Sequence, residues 1–152
     1  METVMGLAKA AAAQSVSLFL AAMIVGRLSV SRLVQRITPT TMVLLSVLTA
    51  SVGFLLYWQG QTAVVGLAGL VVTGLGVAGL YPLLLSLALA AAAGNTVQAS
   101  ARATLASGTA ILTLPLVLGR LADAVGIHTA YGVVILLLIT LLAIALFTRR
   151  WR

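Results

Sequence analysis

The sequence predicts an all-α integral membrane protein with about five transmembrane helices. Of its 152 residues, 62% are hydrophobic and only 7% are charged. A water-soluble domain of this size cannot carry that composition on its surface. No residue between Arg36 and Arg102 is charged. Because the apolar runs do not alternate strictly with polar residues, spanning helices are favoured over a β-barrel.

Apolar runs divide the chain into predicted helices at about residues 9–27, 40–58, 62–92, 98–119 and 129–148, within a single membrane domain that covers residues 1–152. The first two are joined by a short basic connection with three arginines, Arg27, Arg32 and Arg36. Pro39 suits the first turn of the second helix, since an N–H group there has no partner inside the helix.

The basic residues predict the orientation of the chain. With five spans, the three-arginine connection, Arg102 and the tail that begins at Arg149 share one side, and the other side receives only Lys9 and Arg120. Lysine and arginine concentrate in cytoplasmic loops. We therefore expect a multi-pass protein of the cell membrane with a cytoplasmic C-terminus. The net charge of +7 does not indicate nucleic acid binding, because no basic block is interleaved with aromatic residues.

The third run is the least interrupted, and its centre reads Gly74-Leu-Gly76-Val-Ala-Gly79-Leu-Tyr81-Pro82. At about 1.5 Å per residue this run exceeds a hydrocarbon layer of about 30 Å, so it must tilt, bend or project. We expect the glycines to allow close helix packing and Pro82 to leave the carbonyl of Ala78 without its usual partner. Pro115 is expected to bend the fourth helix in the same way.

The glycines also match the pattern G-x-G-x-x-G, but a dinucleotide site needs a preceding strand and an acid about twenty residues later. The next acid is Asp123, and we expect no nucleotide or other cofactor. His128 has no cluster of metal ligands around it, so no metal site is predicted. The ionisable residues are too few to bring together a nucleophile, a base and an orienting group, and an enzyme is not expected.

Four polar side chains within the predicted spans are candidates for a solute pathway: Gln14, Tyr81, Thr109 and Thr113. Alternatively, Gln14 forms a hydrogen bond with an adjacent helix. The alternative for Tyr81 is a packed side chain whose hydroxyl donates to a nearby backbone carbonyl. Arg120 and Asp123 are three residues apart and are expected to form an ion pair at the membrane interface. The alternative for Asp123, a proton relay, requires a position deeper in the membrane.

In their order and spacing these motifs resemble the C-terminal half of the major facilitator superfamily of secondary transporters, from its eighth to its twelfth helix. Gly26 to Pro39 is similar to the basic loop between helices eight and nine, with Val30 where the family often has an acid. Gly74 to Pro82 resembles the tenth helix. Ala101 to Gly126, with Ser107, Gly108 and Pro115, resembles the eleventh helix and its outer loop.

The resemblance implies a permease that moves a small solute by alternating access between two six-helix halves. Since five helices correspond to part of such a permease, we expect the chain not to transport alone. The expected partners are membrane lipid, a small solute when the transporter is complete, and a missing N-terminal half or another membrane subunit. The alternative is an accessory or structural membrane subunit that transports nothing and packs through its small-residue faces.

Overall fold

The computed structural model describes the backbone from residue 9 to residue 150 and the side chains from residue 13 to residue 148. Within these residues the chain is helical, and the prediction of an all-α protein is confirmed. The helices in chain order are α1 (Lys9–Leu33), α2 (Pro39–Gln59), α3 (Ala63–Val77), α4 (Leu80–Ala91), α5 (Thr96–Val125), α6 (Ile127–Ala130) and α7 (Gly132–Arg150).

Five segments of the described chain are long and apolar enough to cross a membrane, as predicted: Ala13–Leu33, Pro39–Gln59, Ala63–Ala91, Thr96–Val125 and Ile127–Thr148. The third combines α3 with α4, and the fifth combines α6 with most of α7. The chain is therefore a multi-pass membrane protein.

Helix α1 continues beyond Arg27, the end predicted from the sequence, and runs to Leu33. Two polar residues in this extension do not interrupt the helix, because their hydroxyls donate back to its own carbonyls. The Ser29 hydroxyl donates to the Val25 carbonyl at 2.9 Å, and the Ser31 hydroxyl donates to the Leu28 carbonyl at 2.8 Å. Arg27 and Arg32 consequently lie on α1, and of the three arginines only Arg36 lies in the connection to α2.

The long third span is interrupted at residues 78–79, and we call this interruption the bend. Helix α3 ends at Val77 and α4 begins at Leu80. The two residues between them keep right-handed backbone angles, with φ −54° at Ala78 and φ −99° at Gly79. The chain thus keeps running in the same general direction through the interruption, and one span is formed from two helical pieces.

Helix α5 is longer than predicted, since it reaches Val125 instead of ending near Gly119. Gly119, Arg120 and Asp123 therefore lie on a helix and not in an outer loop. The helix stops at Gly126, whose φ of +84° is in the left-handed region that favours glycine. Helix α6 follows at once, and Tyr131 separates it from α7.

Helix α2 occupies the centre of the bundle. It packs against α3, α4 and α7, while α1 packs mainly against α3. The buried cluster around α2 consists of Met42, Val43, Val47, Leu83 and Ala145. The main neighbours of α5 are α4 and α6, the helices that precede and follow it. Half of the most apolar stretch of α2 is buried and none of that of α5 is, so α5 stands at the edge of the described chain.

The ends of the helices define two sides of the bundle. Thr40 near the start of α2, Ala91 at the end of α4 and Thr148 near the end of α7 line one shared pocket. We call this end the basic side, because Arg32 and Arg36 are on it by chain order, as is Arg102 near the start of α5. The side chains of Lys9, Arg149 and Arg150, and all of Trp151 and Arg152, lie outside the described residues.

Candidate functional site

Glycine and alanine residues bring α1 into close contact with α3. A Cβ atom added to Gly26 would lie 2.7 Å from the Cβ of Ala78 and 2.9 Å from the carbonyl oxygen of Leu75. A Cβ atom added to Gly74 would lie 3.0 Å from the carbonyl oxygen of Phe19. Gly74 and Ala78 are four residues apart and thus share one face of the span. This face carries the contact with α1.

A second face of α3 contacts α2 even more closely. Added Cβ atoms at Gly69 and Gly76 would collide with the backbone nitrogens of Tyr57 and Ala50 on α2. A Cβ added to Gly53 of α2 would in turn collide with the backbone nitrogen of Thr73. Backbone atoms cannot move aside as flexible side chains do, so these three positions accept glycine alone without a shift of the helices.

The bend between α3 and α4 is tied to α1 by an arginine. Pro82 has no N–H group, so the Ala78 carbonyl lacks the donor that a continuous helix would supply four residues later. Arg27 supplies one, since its Nε donates to that carbonyl at 3.4 Å. Gly79 sits against Val30 of α1, because an added Cβ would lie 2.7 Å from a Val30 methyl carbon. The bend is thus positioned by contacts with α1 as well as by its own sequence.

Beside this bend a cleft of about 340 Å³ opens between α1 and α4, and we call it the arginine cleft. It is lined by Arg27, Val30, Ser31 and Val34 from α1, and by Gly79, Pro82, Leu83 and Ser86 from the bend and α4. Ser86 donates its hydroxyl to the Leu83 carbonyl at 2.8 Å. The walls are almost entirely apolar, and Arg27 is the one charged residue among the lining residues. Sequence reasoning missed this cleft, although the four-residue spacings Arg27–Ser31 and Pro82–Ser86 place each pair on one helix face.

The structure does not gather the four candidates for a solute pathway. Gln14 is exposed on α1, and Tyr81 is 51% exposed at the start of α4. Thr109 and Thr113 are exposed on α5, and their hydroxyls donate to the carbonyls of Leu105 and Thr109, each at 2.8 Å. None of the four lines the arginine cleft. Thr109 and Thr113 share one face of α5, whereas Gln14 and Tyr81 lie on two other helices.

Pro115 lies inside α5, which continues through it from Thr96 to Val125. Arg120 and Asp123 are both exposed near the end of this helix. No ion pair joins them among the contacts of the described residues. Their charges are therefore left to water or to groups outside the described chain.

On the side opposite the basic side, Trp58 at the end of α2 and His128 in α6 form a reciprocal pair. The Trp58 indole nitrogen donates to the His128 carbonyl at 2.9 Å, and His128 Nε2 lies 3.3 Å from the Trp58 carbonyl. The two rings are stacked with centroids 5.2 Å apart. A T-shaped contact between Tyr57 and Tyr131, with centroids 6.0 Å apart, lies next to the pair in the chain. The pair holds α6, and with it the start of α7, against α2.

The described residues contain no group of three or more histidine, cysteine, aspartate or glutamate side chains that could hold a metal ion. Comparison with protein family models, with characterised proteins and with solved structures found no match.

Proposed function

We propose that the chain is part of a secondary transporter of the major facilitator type, which moves a small solute by alternating access. A complementary set of helices, from the rest of a longer chain or from a second subunit, completes the solute cavity. The main support for this proposal is the exposure of helix α5. It is a span of thirty residues with no buried side chain in the described chain.

One face of α5 carries five polar side chains, which share it with Leu105 and Leu116. Gln98, Arg102, Thr109, Thr113 and Arg120 follow one another at intervals of four and seven residues. At 100° per residue these intervals keep the five side chains on one face of the helix. All five are exposed. Polar residues within membrane spans generally face protein or a water-filled cavity instead of lipid, so this face favours a pathway shared with further helices.

The bend between α3 and α4 supports the same proposal. Interrupted helices in transporters lie where they line a cavity, because their freed backbone groups need polar partners there. Here the freed carbonyl of Ala78 is reached by Arg27. The basic side, with Arg32, Arg36 and Arg102, is proposed to face the cytoplasm of the cell, which also gives a cytoplasmic C-terminus.

Single cysteines test the proposed pathway, and the chain contains no cysteine of its own. Thr113→Cys lies on the polar face of α5, and Ile111→Cys lies on the opposite face as a matched control. Ile111 is 73% exposed in the chain, so both sites are open before assembly. In membranes of the cells that produce the protein, a water-soluble maleimide should label Thr113→Cys about tenfold faster than Ile111→Cys, since thiolates react only where water reaches them.

Equal, slow labelling of both cysteines would contradict a water-filled pathway on α5. That result would favour the second candidate, an accessory membrane subunit that transports nothing. The observation that favours this alternative is that Gln14 and Tyr81 lie on helices other than α5, away from Thr109 and Thr113. Copurification of the chain with one specific membrane protein, together with slow labelling at Thr113→Cys, would establish it.

A further inference from the structure

Arg27 carries a charge for which the described chain supplies no carboxylate. The sequence has only two acidic residues, Glu2 and Asp123. Glu2 lies outside the described residues. Asp123 lies near the end of α5, next to α6 and therefore on the side opposite the basic side. Arg27 is exposed, so an anion from outside the described chain can reach its charge.

The geometry of Arg27 leaves its guanidinium available to an anion. The Nε atom donates to the Ala78 carbonyl at 3.4 Å, and this is the hydrogen bond that Arg27 forms with described residues. The two terminal amino groups remain as paired donors, an arrangement that fits two oxygens of one phosphate or carboxylate. Since the Nε bond restrains the side chain, the guanidinium loses less conformational freedom when an anion binds.

The walls of the cleft indicate what kind of anion fits. Apart from Arg27, the lining of the cleft is almost entirely apolar and includes Val34 and Leu83. A ligand that satisfies both parts carries a compact negative charge joined to an apolar body. Arg27 is the next charged residue along α1 after Lys9, and it lies toward the basic-side end of the span Ala13–Leu33.

We propose that the arginine cleft binds an anionic phospholipid, with the phosphodiester on Arg27 and the adjoining carbons against Val34 and Leu83. Basic pockets between membrane helices on the cytoplasmic side suit such headgroups. An inorganic phosphate offers the same oxygens to Arg27, but it leaves the apolar walls of the cleft uncovered. The lipid therefore fits the whole cleft, and the free anion fits only the arginine.

The test measures thermal unfolding of the purified chain in neutral detergent micelles. The probes are phosphatidylglycerol, phosphatidylcholine at the same mole fraction, and inorganic phosphate. The unmodified chain should be stabilised saturably by phosphatidylglycerol and by neither of the other two probes. Arg27→Gln should raise the phosphatidylglycerol concentration for half-maximal stabilisation by about tenfold, the loss expected when a paired hydrogen bond to a charged group is removed.

Arg36→Gln is the matched control, because Arg36 lies on the same side, is exposed and does not line the cleft. It changes the net charge by the same amount and should shift the half-maximal concentration by less than about twofold, the effect of a screened surface charge. Equal losses for Arg27→Gln and Arg36→Gln would overturn the proposal in favour of general surface charge. Stabilisation of the unmodified chain by inorganic phosphate as strong as that by phosphatidylglycerol would overturn the choice of a lipid.

Ser31→Glu keeps the test decisive if Arg27→Gln does not fold. Ser31 is exposed and lies four residues after Arg27, so a glutamate there can pair with Arg27 and occupy its terminal amino groups. This variant should lose the phosphatidylglycerol effect as Arg27→Gln does. Full retention of the effect in Ser31→Glu would overturn the proposal.

Discussion

The contact between α2 and α3 and the isolated helix α5 use the same residue type with opposite results. Gly53, Gly69 and Gly76 leave no room for a Cβ atom, because backbone atoms of the facing helix occupy that position. Gly108 and Gly119 of α5 have no atom within 4 Å of the corresponding position. Glycine thus permits close approach without causing it, and the contact exists only where a second helix presents its backbone.

The α2–α3 pair and helix α5 also differ in what stabilises their positions. In lipid, helix association depends on packing, hydrogen bonds and lipid entropy, since lipid chains are as apolar as leucine. The pair α2–α3 gains such packing along its length. Helix α5 gains little from the described chain, so its position depends on its two ends and on whatever covers it in the assembled protein.

The largest expected effect is that of a methyl group inserted between α2 and α3. Gly76→Ala should lower the free energy of unfolding by about 3 kcal/mol, the upper range for overpacking, since the backbone of Ala50 blocks the site. The measurement is reversible unfolding by sodium dodecyl sulfate in mixed micelles. Gly108→Ala is the control and should be neutral or stabilising by up to about 1 kcal/mol, since alanine is the better helix former. A loss at Gly108→Ala equal to that at Gly76→Ala would show that α5 is covered after all.

A cavity in the centre should have the next largest effect. Val47 is fully buried, and Val47→Ala removes packing around the core cluster at a cost of about 2 kcal/mol. Ile111→Ala on α5, where the side chain is 73% exposed, should change the free energy of unfolding by less than about 0.5 kcal/mol. The same detergent titration measures both variants. If Ile111→Ala costs as much as Val47→Ala, the contrast between the two regions is wrong.

Loss of one hydrogen bond between Trp58 and His128 should cost less. Trp58→Phe keeps an aromatic ring against His128 but removes the indole donor to its carbonyl, so we expect a loss of about 1 kcal/mol. A double-mutant cycle between Trp58→Ala and His128→Ala measures the coupling of the two stacked rings, which is expected to be at least about 0.5 kcal/mol for side chains in contact. Strictly additive effects would contradict the pairing that holds α6 against α2.

The smallest effect is expected at the bend. Pro82 is the third residue of α4, where a missing N–H removes no bond within that helix. Pro82→Ala should therefore change the free energy of unfolding by less than about 1 kcal/mol, mostly through the unfolded chain. A loss of more than about twice that value in the same titration would show that the proline ring itself holds α3 and α4 in place.

The sequence predicted the five spans because a long apolar run in lipid has no good alternative to a helix. The break before Pro82 also followed from the proline and Gly79. The sequence did not predict where α1 ends. Ser29 and Ser31 are polar, and a hydropathy pattern does not show that their hydroxyls bond to α1 carbonyls.

Partners distant along the chain were also beyond prediction. Trp58 and His128 are seventy residues apart, and each alone was typical of an ordinary interface residue. The same holds for Arg27 and Ala78, fifty-one residues apart. The lack of cover on α5 could not be predicted either, because its charged and polar residues do not show which helices pack against it. These features depend on which helices become neighbours, a choice that local pattern does not encode.

The hydrogen bond from Arg27 to Ala78 makes the shape of one span depend on the axial position of another. If α1 slid by one helical turn, about 5.4 Å, Arg27 would leave the Ala78 carbonyl, and the bend would lose its external donor. Conversely, straightening α3 and α4 would move that carbonyl away from α1. Translation of α1 and the shape of the third span are therefore coupled, through this hydrogen bond and through the close contacts of Gly26 with Ala78 and of Gly79 with Val30.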